Sequence, residues 1–416
     1  MSAFNLDRLR TAVRNDAAIR VVSRLVPAGG DGDKVFPPTY AADNAKTLYV
    51  FEERRIGNAS VQTVLLDSVA SQANRMELAL QHGIDEGEIA MPLVQVDFSP
   101  FEPVADLDRI TTLEAPHRVA DAIFRDSVID GVPFRATPLG RSFEDATPRN
   151  ATPMYKVCPH ALVFGVWDST GPKGGLGSKF QRVLTSEIIG VSAVGGKKTA
   201  SRIDPLGIEA KVDVYHEAGS KKGWVLDPAL AAKDKKNNPE KYGEKGNASA
   251  INHSNIAPSI DTKAGGVTVD YATQTAVLSL VGLRQLRFPT NVNGDTLSQE
   301  LRQAGQIAAR TTLAALGLAA IALNRRNGFH LRSRALLVPT GPLVFEVLGA
   351  DGGEPETFTL TPEDAAKLLA EATAAAAKVG FAWDTKPITL MPSPKLVGLV
   401  ARSRELAAAS TSNEAE

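Results

Sequence analysis

Few residue groups in this chain have types and spacings that could do chemistry. The first is Asp168-Ser-Thr-Gly-Pro-Lys-Gly-Gly-Leu-Gly-Ser-Lys179, which places Lys173 and Lys179 among closely spaced glycines. Backbone N–H groups at that density can cradle an anion, and the lysines add charge. The loop is not a nucleotide-hydrolysis motif. Gly177-Ser178-Lys179 inverts the ending of a Walker A loop, and Gly175-x-Gly177 is followed by Phe180 where a dinucleotide fingerprint needs glycine. Cys158 and His160 flank a proline, but the other histidines are scattered, so the pair reads as core packing rather than as metal ligands. Gly140-Arg-Ser142-Phe-Glu144 departs from a nucleophile elbow at its last position. Asp168, Asp204 and His253 each follow a loop or turn where such side chains commonly cap the backbone. No catalytic set, metal site or cofactor is expected, and binding is the better reading.

Charge narrows what is bound. A formal net charge of -1 excludes a protein that coats nucleic acid through bulk positive charge. A local patch exists, with Lys173, Lys179, Arg182, Lys197 and Lys198 accompanied only by Glu187. The single cysteine excludes an intramolecular disulfide, and no signal-peptide pattern opens the chain, so a cytoplasmic location is expected. The longest apolar run, LAALGLAAIAL from Leu313 to Leu323, falls short of the roughly 20 residues that span a bilayer, and no membrane partner is expected.

These residues must be positioned by a core. Residues Ile19 to Val26 alternate, with Ile19, Val21 and Leu25 on one strand face and Arg20, Val22 and Arg24 on the other. From Ser60 to Gln81, Val61, Val64, Leu65, Val69, Ala73, Met76 and Leu80 fall on one helical stripe, with Asn74 opposite and Arg75 at its edge. The proline-rich stretch Phe134 to Pro159 reads as ordered loop. Ala161 to Trp167 reads as a buried strand feeding the glycine loop, which makes Trp167 more a core residue than a stacking platform. Lys, Asn, Gly and Ala dominate Gly219 to Asn252, which reads as part of an insertion over about 205–260. Further strands are expected at Val267 to Tyr271 and Phe329 to Val338. Helices are expected at Thr296 to Leu323, capped by Asp295 or Thr296, and at Pro362 to Val379, opened by Thr361. The order strand, helix, strand, insertion, strand, helix, strand is that of an α+β, ferredoxin-like or RRM-type palm. One such body over 1–350, a helical extension over 351–416 and a disordered tail after about Ala407 complete the expected organisation.

The runs Val157 to Lys179, Ser201-Arg-Ile-Asp-Pro-Leu-Gly207 and Ile251-Asn-His-Ser-Asn-Ile-Ala-Pro-Ser259, with Ser71-Gln-Ala-Asn-Arg-Met-Glu77 and Gly265-Gly-Val-Thr-Val-Asp-Tyr271, resemble the Cascade backbone protein of type I-U (I-G) CRISPR systems, a divergent branch of the Cas-seven superfamily. The resemblance spans about residues 15–340. It implies an RRM-derived palm with a protruding thumb, stacked in several copies along a CRISPR RNA. It also implies target DNA reached by way of the guide, other Cascade subunits as partners, and cleavage left to other chains. The Gly219 to Asn252 segment and the Phe134 to Pro159 stretch compete as the thumb.

With 6% aromatic residues and no RRM base-stacking signature, contacts are expected mainly to phosphate and ribose. The candidate RNA-binding residues are Arg20, Arg24, Asn74, Arg75, Trp167, Lys173, Lys179, Ser201, Arg202, Asn252 and His253. Of these, Asn74 and Arg75 serve equally well at a subunit interface, and Asn252 and His253 could simply brace a loop. One competing reading is an RRM-like endoribonuclease that processes CRISPR RNA through His253, Lys263 and Tyr271. Another is a self-assembling structural protein with no nucleic-acid role.

Overall fold

A computed structural model describes residues 4–41, 46–171, 179–209, 211–220 and 223–415. The chain divides into two compact units. The first comprises Met1–Tyr40, Tyr49–Val194 and Val267–Leu396; the second comprises Ala41–Leu48, Gly195–Gly266 and Val397–Glu416.

The first unit is built on a 9-stranded sheet. In chain order its strands are β1 (Ala18–Pro27), β2 (Phe51–Ile56), β3 (Ala59–Asp67), β4 (Leu184–Val191), β5 (Tyr271–Ser279), β6 (Phe329–Arg332), β7 (Ala335–Pro339), β8 (Val344–Leu348) and β9 (Glu356–Thr359). The spatial order is β6-β7-β1-β5-β4-β3-β2. β8 runs along the same edge of β1 as β7, and β9 lies beyond β8. The pairs of β5 with β1 and with β4 are antiparallel, as are those of β1 with β7 and β8. Taking β1, β4, β5 and the β7/β8 edge as strands one to four gives the 4-1-3-2 order of a ferredoxin-like palm. A β2-β3 hairpin, turned at Gly57 with φ 60°, extends one side.

Alternation explains the central strands. Ile19, Val21, Ser23 and Leu25 of β1, and Ala272, Gln274, Ala276 and Leu278 of β5, point into the covered face. Four long helices accompany the sheet: α1 (Leu6–Asn15), α2 (Val69–Asp85), α3 (Gln299–Asn327) and α4 (Pro362–Ala377). α2 packs on β4, while α3 packs on β5 and contacts α1, α2 and α4. Small residues let α3 approach closely, since a Cβ added at Gly317 would lie 3.2 Å from Leu278. By length and composition α3 could cross a membrane, but 78% of its most apolar stretch is buried inside this unit. Thr361 caps α4 with Pro362 in the first turn, as the sequence predicts, and Asp364 completes a reciprocal capping box.

Several expectations are corrected. The helix expected over Ser60–Gln81 is strand β3 followed by α2, because Val61 and Leu65 share a face in helix and strand alike while β-branched residues and a glycine turn favour the hairpin. The strand expected at Ala161–Trp167 is a helix, Pro159–Phe164, opened by Pro159, and only Val166–Trp167 is extended. The second palm strand is instead β4. The loop expected over Phe134–Pro159 contains helices Pro138–Glu144 and Thr152–Val157. Ser298, not Asp295 or Thr296, caps α3. Residue 350 is not a boundary: β9 pairs with β8, and Ile388–Pro392 joins Val94–Asp97 in a smaller sheet. A helix runs through Pro394–Ala415, past the point where the tail is expected to lose structure.

Between Gly195 and Gly266 the second unit carries little regular structure. Strands Lys198–Arg202 and Ile256–Asp261 pair as an antiparallel ribbon, and a short ladder joins Tyr215–His216 to Trp224–Val225. This agrees with a composition that supplies few core residues between Gly219 and Asn252.

Candidate nucleic-acid interface

The palm face opposite the helices presents Arg20, Val22 and Arg24 from β1, in register with Val277, Thr275 and Thr273 of β5. Arg20 Nε donates to Glu346 at 2.6 Å, a pairing set by the β1-β8 register. The Arg24 guanidinium lies 3.7 Å from the Tyr271 ring centroid, so the face's aromatic ring is already covered by a cation. Arg54 donates to Glu187 at 2.6 Å and also pairs with Glu52; the Glu187 bond raises its pKa further above the ordinary arginine value. Much of this face's charge is therefore internally matched, and Val22 is an exposed apolar position within it.

Asn74 is exposed on α2, whereas Arg75 is bound inward. Arg75 Nε donates to Asp67 at 3.0 Å, and its terminal nitrogens donate to the Leu331 carbonyl at 2.6 Å and the His330 carbonyl at 3.4 Å. Asp67 is fully buried and also accepts from Ser71 at 2.8 Å and Gln72 at 2.6 Å. Arg75 thus ties the first turns of α2 to β6.

Trp167 is 57% exposed, which corrects the expectation of a core tryptophan. It pairs across a two-residue ladder with Lys179, whose Nζ lies 5.5 Å from the indole centroid. The two form an exposed cation–aromatic pair that can meet a base and its phosphate. Lys173 lies outside the described residues.

In the second unit the ribbon brings two separate motifs together. Arg202 Nε donates to the Ser254 carbonyl at 3.0 Å and its terminal nitrogen to the His253 carbonyl at 2.7 Å. Asp204 accepts from the backbone N–H of Ser254 at 2.6 Å and of Leu206 at 3.0 Å, while its own N–H donates to Asn255 Oδ1 at 2.7 Å. Those backbone donors lower the Asp204 carboxyl below its usual range. His253 Nδ1 stands 3.8 Å from Asp204. Asn252 and Ser254 take left-handed backbone angles, φ 59° and 79°, which form the tight loop. Ser201 is exposed beside this loop, and Ile203 and Leu206 project from it. Ser201, Arg202, Asn252 and His253 thus form one cluster, with Asp204 shaping its turn as the sequence suggests.

Residues 19–194 match the family model described as CRISPR-associated protein GSU0053 (Cas_GSU0053). Over that stretch the chain is similar to this CRISPR-associated family. No curated protein matches it. The matched stretch runs from β1 through α2 to β4, the first half of the palm, and ends before the Ser201 to His253 cluster.

Inside the palm, Glu77 of α2 receives two bonds from Arg118, at 2.6 and 2.7 Å, and Arg118 donates a third to the Gly165 carbonyl at 2.9 Å. Burial raises the Glu77 carboxyl against the pull of Arg118. His160 and Cys158 complete this buried group, Cys158 Sγ lying 3.3 Å from His160 Nε2, which also meets the Thr112 carbonyl at 3.1 Å. Burial and the Arg118 charge push His160 down to about 3, so it is neutral in the fold, and burial pushes Cys158 up to about 12. Among the described residues no three or more His, Cys, Asp or Glu side chains gather as a metal site. The structure also gathers arginines that no sequence motif singles out: Arg149, Arg284, Arg287, Arg302 and Arg310 line one cleft of about 1030 Å³ in the palm unit. They come from three separate chain segments, so no local spacing signals them.

Proposed function

We propose that this CRISPR-associated protein is a guide-RNA-binding backbone subunit of a type I Cascade complex. Several copies would stack along the CRISPR RNA in the cytoplasm, beside other Cascade subunits, and present the guide to target DNA. One observation carries the reading: the CRISPR-associated family match falls on β1, α2 and β4 of an RRM-type palm. That fold commonly presents its open sheet face to single-stranded RNA. The exposed Trp167–Lys179 pair and the Ser201 to His253 cluster offer cations, an indole, a hydroxyl and an amide, groups suited to phosphate and ribose. The Arg24-capped Tyr271 leaves no bare ring on that strand for base stacking, which favours grip on the sugar-phosphate backbone. A subunit that must accept any spacer needs that kind of grip.

Expressing the chain with a CRISPR array and sequencing the RNA that co-purifies tests the proposal. The expected result is a nucleic-acid-rich oligomer holding repeat-spacer RNA, with equal affinity for unrelated spacers. A monomer free of RNA, which ignores single-stranded RNA at low ionic strength, would overturn it. Specific cleavage of repeat RNA that is lost in His253→Ala while binding persists would replace it with the endoribonuclease reading.

A further inference from the structure

The cleft lined by Arg149, Arg284, Arg287, Arg302 and Arg310 has an unusual charge environment. Several other arginines of the palm unit meet carboxylates, Arg8 with Asp16 and Glu356, Arg20 with Glu346, Arg118 with Glu77, Arg135 with Asp168 and Arg326 with Glu88, whereas Arg182 and Arg325 donate singly to the Phe164 and Gly341 carbonyls. None of the five cleft arginines has an ion pair among the described residues, and no acidic residue is among those lining the cleft. Arg284 donates to the Val13 carbonyl at 3.0 Å and the Asp16 carbonyl at 2.8 Å. Arg310 donates to the Leu286 carbonyl at 2.7 Å and to Gln306 at 3.0 Å, and Arg302 to the Leu297 carbonyl at 3.1 Å. Arg149 and Arg287 are exposed and have no side-chain hydrogen bond among the described residues.

Carbonyl partners orient a guanidinium without cancelling its charge, so three of these groups are held in place with their fields directed outward. Burial, with the positive charges of Arg284 and Arg287, pushes Arg310 down to about 10. Assembling like charges in this way costs free energy that a bound anion would offset. A second, smaller cleft of about 440 Å³ shares Gln285 with the first and is lined by Lys179 and Arg182. Together the two make a track of cations and neutral amides, longer than a single small anion would need. Guanidinium forks match phosphate oxygens two at a time.

We propose that this track is a second nucleic-acid site, separate from the Ser201 to His253 cluster, which grips several consecutive phosphates of a single-stranded backbone. The choice of a nucleic acid as the polyanion rests on the function proposed above, whereas the presence of an anion site rests on the cleft itself.

The test uses the full chain and labelled single strands of RNA and of DNA, with affinity read by fluorescence anisotropy across a salt series. The comparison is between the wild type, Arg149→Ala/Arg287→Ala and Arg149→Lys/Arg287→Lys. The two exposed residues have no internal partners, so both variants should fold, which circular dichroism checks. The alanine pair should bind at least tenfold more weakly. Its slope of log affinity against log salt should fall by about 1.4, two phosphates at roughly 0.7 each for a single strand. The lysine pair should keep that slope. RNA binding with an unchanged slope in the alanine pair overturns the track and leaves the guide-RNA reading standing. DNA binding without RNA binding, lost in the alanine pair, supports the track and overturns the guide-RNA reading. If the wild type binds neither strand, or binds only polyglutamate, both proposals fail.

Discussion

Arg118 and Arg310 both lie in the palm unit with much of the guanidinium withdrawn from water, and what surrounds them differs. Arg118 is gripped by Glu77 through two bonds of 2.6 and 2.7 Å. Arg310 meets only neutral oxygens, those of Leu286 and Gln306, while its charged neighbours Arg284 and Arg287 repel it. A matched buried pair fastens one element to another but presents no net charge outward. An unmatched group held by carbonyls adds little to folding and retains its field. The nature of the partner, more than the number of arginines or their burial, separates fastening from binding in this molecule.

Removing Arg118 should give the largest effect on the fastening side. Arg118→Met leaves Glu77 buried without its partner and should lower unfolding stability by about 3–5 kcal/mol, while Glu77→Leu/Arg118→Met should recover most of the loss. Urea titration measures both, and equal losses in the single and double variants would break the comparison. Arg75→Ala comes next, with about 1–3 kcal/mol lost as buried Asp67 gives up a charged donor. Reduced RNA affinity at unchanged stability would instead return Arg75 to the interface where the sequence placed it.

The buried pair also has a pH signature through His160. Its folded pKa, about 3, lies below the ordinary value of 6.5, so the unfolded chain takes up a proton there first as pH falls. The stability owed to neutral His160 is present above about 6.5 and is lost as pH drops towards 3, by at most about 1.4 kcal/mol per pH unit. Stability measured over that window should therefore decline less steeply in His160→Gln than in the wild type. Parallel profiles would mean that His160 is charged in the fold. The smallest effect belongs to the cleft: Arg287→Ala should change stability by no more than about 0.5 kcal/mol. A loss comparable to that of Arg118→Met would place Arg287 among the fasteners.

Part of this design is legible without coordinates. β1 shows its two faces through strict alternation, and the Thr361-Pro362 start of α4 follows from capping chemistry confined to one turn. The apolar run of Ala161 to Phe164 misleads, because buried helix and buried strand share one composition and only the neighbouring elements decide between them. Trp167 misleads for a related reason: a two-residue strand at the surface carries no periodicity to reveal its exposed side. The Ser201 and His253 motifs are visible as strings, but their convergence depends on the ribbon that joins them.

The amino-acid sequence alone determined the order of the palm's principal elements, the basic outer side of β1 and the start of α4, since periodicity and capping act over a few neighbouring residues. Tertiary structure decided which cations are matched and which stay open. Glu77 and Arg118 are 41 residues apart, and the cleft arginines are recruited from distant segments. The sign of the charge that each guanidinium meets is set by elements packed in space, so no local pattern encodes it.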